Sequence, residues 1–347
     1  MGWLAVVADL AFFQQQPLDR LNTLRLPARA RFFARAFSEP ALRYILGSVT
    51  AHNFPLYILG GGSNLVLAGA LDGLVVQPAL MGRELITMQG DTALVRVGAG
   101  ESWHQTVLWT LQQGWSGLEN LALIPGTVGA SPIQNIGAYG VEVSDRLHSV
   151  RALQISTGDL RTFTADECGF AYRDSIFKSQ VAGEYVVIDV LFKLNTKPDL
   201  CLDYGDIRGE LARQQVSRIS PMAVAQAVMA IRSSKLPDPA QLGNAGSFFK
   251  NPTVSVEHAN SLKQAFPDLV AYPNAQGVKL AAGWLIEHAG WKGYQQGAVA
   301  VHDRQALVLV NHGGGTGAEL LDLAAKIRAS VNAKFAVELE QEPIIWQ

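Results

Sequence analysis

The sequence predicts a globular protein of the α/β or α+β class, divided into two or three domains. Three observations carry this. The chain has 347 residues, too long for a typical single core. It is 48% hydrophobic and 17% charged, the balance of a folded protein rather than a disordered one. Period-two strand patterns and helical patterns alternate along it, and the character changes near residues 200–215.

The elements run in order. Leu4–Phe13 is apolar, but Asp9 interrupts it and no basic residue precedes it. It is too short to cross a bilayer, lacks a signal-peptide n-region, and reads as a first strand or helix packed on the body. Leu56–Leu59 is a short strand running into Gly60-Gly61-Gly62-Ser63-Asn64, after which Leu65-Val66-Leu67 resumes strand character. Leu94–Val97 alternates and ends at Gly98-Ala99-Gly100. Ser102 with Gln105 forms a capping-box pattern. Trp103, Val107, Leu108 and Leu111 then fall at helical spacing, and Gly114 stops the helix.

His148–Ile155 and Tyr185–Leu194 alternate as strands. A turn-rich stretch, Asn195–Gly209, contains Pro198 and Tyr204-Gly205-Asp206. Ser220-Pro221 is an N-cap followed by proline at the first helical position, and Val224, Val228 and Ile231 share a face. Gly297–Val301 and Ala306–Val310 read as a strand pair around His302-Asp303-Arg304. Thr316–Glu319 is a second capping box, ahead of a buried stripe of Leu320, Leu323, Ala324, Ile327 and Val331.

Several function classes lose support at once. A net charge of −2 gives no general pull toward nucleic acid or an anionic membrane. No other segment approaches membrane length. Cys168 and Cys201 stand in no metal or redox spacing, which suits a reducing cytoplasm. The seven histidines form no His-x-x-x-His pair, so a zinc site is not expected.

The chemistry collects in glycine-rich segments. Gly60–Asn64 after a strand fits a nest of backbone N–H groups for a pyrophosphate, although a plain tight turn fits as well. It has neither the Gly-Lys-Ser/Thr of a P-loop nor the spacing of a Rossmann turn. Residues 117–140 are richer in glycine and set Ser131, Gln134 and Asn135 among small residues. Such a run can lay backbone against a flat ring and read its polar edge; the alternative is a packed Ω-loop. Gly243–Pro252 places Ser247 between a glycine and two aromatics, with Lys250 and Asn251 behind. There a hydroxyl can act as a weak acid in a partly dry place.

Taken together, these residues resemble the UDP-N-acetylenolpyruvoylglucosamine reductase family. The resemblance rests on Gly60–Asn64, Gly98–Glu101, Ile124–Gly140, Ala171-Tyr172-Arg173-Asp174-Ser175, Lys235–Pro239, Gly243–Pro252 and Leu339–Glu342, in that order over about residues 18–346. It implies an α+β protein with a flavin-binding fold of the vanillyl-alcohol oxidase type in two subdomains, 1–80 and 81–215. A third, substrate-binding domain would span 216–335, with the tail 336–347 near the active site. It implies FAD as resident cofactor and NADPH as reductant. The substrate implied is UDP-N-acetylglucosamine enolpyruvate, reduced to UDP-N-acetylmuramate by a cytoplasmic monomer in peptidoglycan precursor synthesis. No nucleic-acid, membrane or metal partner is expected.

Residue by residue, the resemblance assigns FAD to Gly60, Gly61, Gly62, Ser63, Asn64, Gly126, Thr127, Gly129, Ala130, Ser131, Gln134, Asn135, Gly137, Tyr139 and Gly140. It makes Ser247 the proton donor, Arg173 the carboxylate holder and Glu342 the third catalytic group. Pro343-Ile344 follows Glu342 where the family usually has valine and arginine, which keeps Glu340 in view; ungapped spacing from Gln305 favours Glu342. Lys235, Tyr172, Asn251 and Gln305 are the implied substrate contacts. Tyr204 matches the tyrosine loop of the longer class of these enzymes, to which the stretch 195–215 assigns the chain. Two alternatives remain, a flavin oxidase of a small alcohol and a non-catalytic nucleotide-sugar binder. The oxidase gives Ser247 no evident role, and no histidine stands in a covalent-flavin context.

Overall fold

The computed structural model describes residues 8–52, 54–274 and 276–347. In chain order it begins with β1 (Leu10–Pro17), β2 (Arg29–Ala36), α1 (Glu39–His52), β3 (Leu56–Ile58), β4 (Leu65–Leu67), β5 (Leu71–Pro78), β6 (Arg83–Gln89), β7 (Thr92–Gly98) and α2 (Trp103–Gln112). Next come β8 (Gly137–Ala138), β9 (Val141–Glu142), β10 (Leu147–Gln154), β11 (Leu160–Thr164), β12 (Tyr185–Asn195), α3 (Ile207–Arg213) and α4 (Pro221–Lys235). The last third starts with β13 (Gly243–Ser247), β14 (Thr253–Val254), α5 (Val256–Ala265), β15 (Ala271–Asn274), β16 (Gly277–Leu280) and α6 (Ala282–His288). It ends with β17 (Gln295–Gln296), β18 (Val299–Val301), β19 (Val308–Asn311), α7 (Gly317–Phe335) and β20 (Ile344–Trp346). Two compact units result. The first holds residues up to Gln16 with Ala30–Gly61 and Asp72–Ser234; the second holds Pro17–Arg29, Gly62–Leu71 and Lys235–Gln347.

In the first unit, β1, β2, β5 and β3 make one sheet, with β3 parallel to β5. A second, antiparallel sheet has the order β11, β10, β12, β7, β6. The apolar face of α1 (Leu42, Ile45, Leu46, Val49) packs with Ala34, Leu74 and Val76 of the first sheet and with Leu153, Val186 and Ile188 of the second. The other face of the second sheet carries Val95 and Val97 of β7 with Val190 and Phe192 of β12. It shares a core with Trp103, Val107 and Leu111 of α2 and with Val224, Val228 and Ile231 of α4. Burying each such apolar side chain contributes about 1.5–3 kcal/mol.

A β-bulge in β12 controls what this sheet presents. Arg151 pairs with Asp189 and Ala152 with Val187, so Ile188 stands opposite no residue of β10. The extra residue reverses the side-chain alternation, which is why Val187 and Val190 both face the α2 core. The Ile188 carbonyl accepts the Ala99 N–H at 2.9 Å. A Cβ on Gly98 would lie 2.3 Å from the Leu80 carbonyl oxygen, and one on Gly100 2.7 Å from the Ala79 backbone. Gly98 and Gly100 are therefore close-packing residues. Beside them Glu101 is buried, and Arg83 neutralises it with Nε and NH2 at 3.0 and 2.7 Å.

In the second unit, β4 runs parallel to β20, and β13, β19, β18 and β17 form an antiparallel sheet. The Thr316–Glu319 capping box is fully formed at the start of α7, and its stripe from Leu320 to Val331 is buried. A Cβ on Gly317 would lie 2.0 Å from the Leu67 carbonyl oxygen, so α7 starts directly on β4. Asn311 ties this unit to its own N-terminal segment. Its Nδ2 donates to Leu24 at 2.9 Å, while its Oδ1 accepts the Gly313 and Gly315 N–H groups, each at 3.0 Å.

Most expected elements form, with informative departures. The Leu4–Phe13 segment yields β1 from Leu10; residues 4–7 of that expectation lie outside the described residues. Ser102 caps α2 by accepting the Gln105 N–H, and Gly114 ends it with φ +81°. The turn-rich Asn195–Gly209 stretch closes into α3 from Ile207. The strand expected at Ala306–Val310 begins only at Val308, because the Val308 N–H turns back to the Gln305 carbonyl. The boundary expected between 215 and 216 is not where the units divide. The apolar face of α4 completes the α2 core, so the first unit runs on to Ser234. The ranges expected as 1–80 and 81–215 are not separate units either; their sheets share α1, and Pro17–Arg29 and Gly62–Leu71 join the second unit.

Candidate functional site

Two glycine segments meet backbone to backbone in the first unit. A Cβ on Gly61 would sit 2.8 Å from Gly126 Cα, and one on Gly60 2.9 Å from Thr127 Oγ1. The Trp103 N–H donates to the Gly126 carbonyl, the Val128 N–H to Glu101, and the Gly129 N–H to Ala99, so α2 and β7 set the second segment in place. Among the described residues, the N–H groups of Gly60, Gly61, Gly126 and Thr127 have no hydrogen-bond acceptor. N–H donors on a surface stripped of Cβ atoms are what a pyrophosphate requires. The residues present therefore fit FAD.

The next loop is held by its own polar groups. Asn135 is buried in the left-handed region, φ +47°. Its Nδ2 donates to Glu142 Oε2 at 2.7 Å and to the Ala171 carbonyl at 3.1 Å, and its Oδ1 accepts the Ser144 N–H at 3.1 Å. Ser131 is buried, with Oγ donating to the Val128 carbonyl. These two side chains shape the loop. Both N–H bonds of the Asn135 amide are already made inside the protein. Ala130 packs at Gly60, and Gly129 lies against Ala99, where a Cβ would fall at 2.6 Å. Gln134 sits half-buried in the same loop.

Arg173 stands on this loop. It has φ +56° in a tight turn between Ala171 and Asp174, and its NH2 donates to the Gly137 carbonyl at 2.7 Å. A Cβ on Gly137 would lie 2.9 Å from Arg173 NH1, so the guanidinium packs directly on this backbone. Tyr172 is beside it, with the guanidinium 5.2 Å from its ring centre. Tyr139 has φ +50°, and Gly140 lies against Tyr204 and Cys201. Gly205 in turn lies against the Tyr139 ring, so the expected tyrosine loop packs on the end of the glycine run, with Tyr204 exposed.

One residue here escaped the sequence reading. Arg232 of α4 has an enclosed Nε with no hydrogen-bond acceptor among the described residues. Burial lowers its pKa; Tyr139 opposes that shift and the Arg173 charge adds to it. Nearby His104 accepts the Leu123 N–H through Nδ1 at 3.0 Å, and burial together with Arg232 lowers its pKa. The only signal in the sequence was a charge directly after Ile231 of the apolar stripe.

The second unit holds Ser247 and Glu342. Ser247 pairs with Val308 of β19 after a register shift at Ala245–Gly246, where Gly246 has φ +68°. Asn244 Oδ1 accepts the Gly246 N–H at 2.9 Å and fixes this bulge, which re-aims the serine. Phe248 and Phe249 are buried edge to face at 5.2 Å. The Glu342 N–H donates to Phe248 at 2.9 Å, and Asn64 Nδ2 donates to the Glu342 carbonyl at 3.3 Å. Lys250 pairs with Glu340, whose carboxylate is exposed. Glu342 is half-buried and Pro343 buried, so the exposed–buried alternation of Glu338–Glu340 breaks at this point.

The rest of the Gly60–Asn64 turn also belongs to the second unit. Gly62 has φ +63°, and a Cβ there would lie 2.0 Å from the Leu21 carbonyl oxygen. Its own carbonyl accepts the Thr23 N–H, Ser63 comes next, and the Asn64 carbonyl accepts the Ile344 N–H at 3.0 Å. Asn251 Oδ1 accepts the Ala282 N–H at the start of α6, and Gln305 Oε1 accepts the Leu307 N–H. Lys235 is exposed at the end of α4. No cluster of metal-ligating side chains and no helix long and apolar enough to cross a membrane occurs among the described residues.

Comparison with known proteins agrees with this layout. An FAD binding domain family matches residues 30–164, and the C-terminal domain of UDP-N-acetylenolpyruvoylglucosamine reductase matches residues 238–346. The chain is 49% identical over 330 residues to the UDP-N-acetylenolpyruvoylglucosamine reductase of Pseudomonas fluorescens strain Pf-5, covering 95% of this chain and 97% of that one. It is 51% identical over 329 residues to the Bdellovibrio bacteriovorus protein of the same name, covering 95% and 98%. The solved structure of the Thermus caldophilus reductase aligns with a TM-score of 0.67 at 23% identity, covering 97% and 99%. A solvent-stable cholesterol oxidase aligns with a TM-score of 0.52 at 12% identity, covering 97% and 87%, a likeness of fold alone.

Proposed function

Because the chain belongs to the UDP-N-acetylenolpyruvoylglucosamine reductase family, an oxidoreductase family, and carries an FAD-binding domain, we propose that it reduces UDP-N-acetylglucosamine enolpyruvate to UDP-N-acetylmuramate with NADPH. The product enters peptidoglycan precursor synthesis. We place the reaction in the cytoplasm, in a monomer without nucleic-acid or membrane partners.

The cradle at Gly60–Gly62 and Gly126–Thr127 would hold the FAD pyrophosphate, and the loop from Gly129 to Gly140 would form the bed for the ring. FAD held there would supply two-electron chemistry between NADPH and the substrate's vinyl group, whose carbon distal to the ether oxygen is the one to be reduced. The chain's own residues handle charge and proton delivery at the carboxylate-bearing carbon. Arg173 holds the substrate carboxylate with a fixed charge and a planar fork. Ser247 Oγ–H donates the proton to that carbon, a step in which a positioned acid contributes about 10²–10⁴-fold. Glu342 in its protonated form polarises the carboxylate; ionised, it would repel the developing enolate. Phe248 and Phe249 keep water from one side of the serine. Tyr172, Tyr204, Lys235, Asn251 and Gln305 contact the nucleotide sugar.

The observation that supports this reading best is the Glu342 N–H donating to Phe248, the residue after Ser247. It sets the backbones of a candidate acid and a candidate polarising carboxyl side by side. Purified protein tests it. A yellow protein whose NADPH oxidation depends on the enolpyruvyl sugar nucleotide is the expected result. A colourless protein, or NADPH consumption indifferent to that substrate, would overturn the reading.

A further inference from the structure

Residues 196–206, between β12 and α3, form no strand or helix, and Tyr204 stands exposed among them. Packing holds this stretch at Leu200 and Leu202, which lie half-buried on the core shared with α2 and α4. Hydrogen bonding holds it at one residue. Among the described residues, the hydrogen bonds that join 198–205 to anything beyond α3 both run through Cys201. Its carbonyl accepts Asn120 Nδ2 at 2.9 Å, and its thiol donates to the Tyr139 carbonyl at 3.7 Å. Asn120 lies in a short 3-10 turn, Glu119–Leu121, and is 1% exposed. Its Nδ2 also donates to the Tyr139 carbonyl, at 2.8 Å. One buried amide, with both its hydrogens used, thus clasps two main-chain carbonyls from segments far apart in sequence.

The clasp closes on a joint that admits no extra atoms. Tyr139 is left-handed, φ +50°, a conformation that few non-glycine residues adopt. A Cβ on Gly140 would fall 3.1 Å from both Cys201 Sγ and Tyr204 Cβ, and one on Gly205 3.3 Å from the Tyr139 ring. The two sides depend on Asn120 unequally. The glycine-rich loop keeps other ties: the Ile136 carbonyl accepts the Val143 N–H, Gly137 pairs with Glu142, and the Gly137 carbonyl accepts Arg173. The Tyr204 side keeps only the Cys201 thiol. Loss of the amide therefore frees the Tyr204 segment and spares the flavin bed.

We propose that Asn120 is a positioning residue for nucleotide-sugar binding: by tying the Cys201 carbonyl to the Tyr139 carbonyl it sets the segment carrying Tyr204 against the end of the glycine-rich loop. This rests on the reading of Tyr204 as a contact to the nucleotide sugar, and it adds a residue to which none of the roles above is assigned. Asn120 acts through Tyr204 and touches neither substrate nor flavin.

The test compares three holoprotein variants with the unaltered protein. Asn120→Leu fills similar space without donors, Asn120→Ala is a smaller donor-free variant should leucine fail to pack, and Asn120→Gln keeps both amide hydrogens. The donor-free variants should raise KM and Kd for the enolpyruvyl sugar nucleotide by about tenfold, with FAD content and flavin spectrum unchanged. Asn120→Gln should recover part of this. In a Tyr204→Ala background the same substitutions should add less than about twofold, because the segment they loosen no longer carries its contact. A thiol reagent reads the loosening without substrate: Cys201 should label about tenfold faster in the donor-free variants while Cys168 stays protected. A KM within about twofold of the unaltered value, or a rise undiminished by Tyr204→Ala, overturns the proposal. Equal acceleration at both cysteines, the mark of a general loss of stability, overturns it as well. Failure of the unaltered protein to bind the enolpyruvyl sugar nucleotide would instead overturn the reductase reading, while Cys201 labelling would still decide whether Asn120 holds the Tyr204 segment.

Discussion

The backbone N–H of Glu342 donates to the carbonyl of Phe248 at 2.9 Å, so the C-terminal segment lies directly on the strand end that carries Ser247. Because the bond is made by the main chain, either side chain can be changed without undoing it. Ser247→Ala should therefore leave FAD reduction by NADPH intact and slow product formation by about 10²–10⁴-fold. Stopped-flow traces of the two half-reactions separate the effects; loss of both together would make Ser247 a structural residue. Glu342→Gln should also spare the first half-reaction. Glu340→Ala should change turnover little, because its carboxylate is an exposed partner of Lys250.

Gly61→Ala should be costly where most surface alanines are harmless. Its Cβ would meet the Gly126 backbone at 2.8 Å, and neither segment can yield without disturbing the pairing of Trp103 with Gly126. The expected loss is about 1–3 kcal/mol of stability and a marked loss of FAD affinity. Thermal melts with and without FAD read both. Unchanged FAD affinity would remove these glycines from the cofactor site.

Asn135→Ala should destabilise by about 1–3 kcal/mol, because the half-buried Ser144 N–H would lose its acceptor. Denaturant unfolding measures this. A near-neutral result would mean that the loop can satisfy these groups another way.

Glu119 gives a pH prediction. Burial raises its pKa, against the Gly117 N–H bond at 2.6 Å and the Arg146 charge. The unfolded chain then releases the proton at lower pH than the folded one. Glu119 therefore contributes full stability below its ordinary carboxylate value, and that contribution is lost as pH rises through the raised folded value. Glu119→Gln retains an acceptor without this titration. Relative to Glu119→Gln, the unaltered protein should weaken as pH rises across that window; a difference that stays flat in urea titrations would contradict the assignment.

Cys168 should be inert in the folded protein. It is fully buried, and desolvation pushes its thiol up to about 12. At pH 8 only about one molecule in ten thousand would carry the reactive thiolate. In a Cys201→Ser background, a thiol reagent should label the protein only on unfolding. Fast labelling of the native protein would show that the core around Cys168 opens.

The sequence by itself determined the elements whose signals are local. The Thr316–Glu319 capping box, the Trp103 helix ending at Gly114 and the alternation of Tyr185–Leu194 all depend on neighbours a few residues away. It also singled out Gly60–Asn64 and Gly243–Pro252, since an unusual density of glycine beside polar residues shows in the chain itself. Tertiary structure decided the rest. Gly98 and Gly60 look alike in sequence, yet one packs on Leu80 while the other faces Thr127 across a cradle. The bulge at Ile188 decides which face β12 presents, and no local signal announces it. No local signal shows that the side chain of Asn135 is held by Glu142, Ala171 and Ser144. Arg232 stands in no pattern that the sequence singles out, and only the fold shows its Nε enclosed without an acceptor among the described residues. Helix and turn propensities are written into short stretches of chain. Burial, counter-charge and hydrogen-bond partnership depend on which distant segments arrive together, and folding alone decides that.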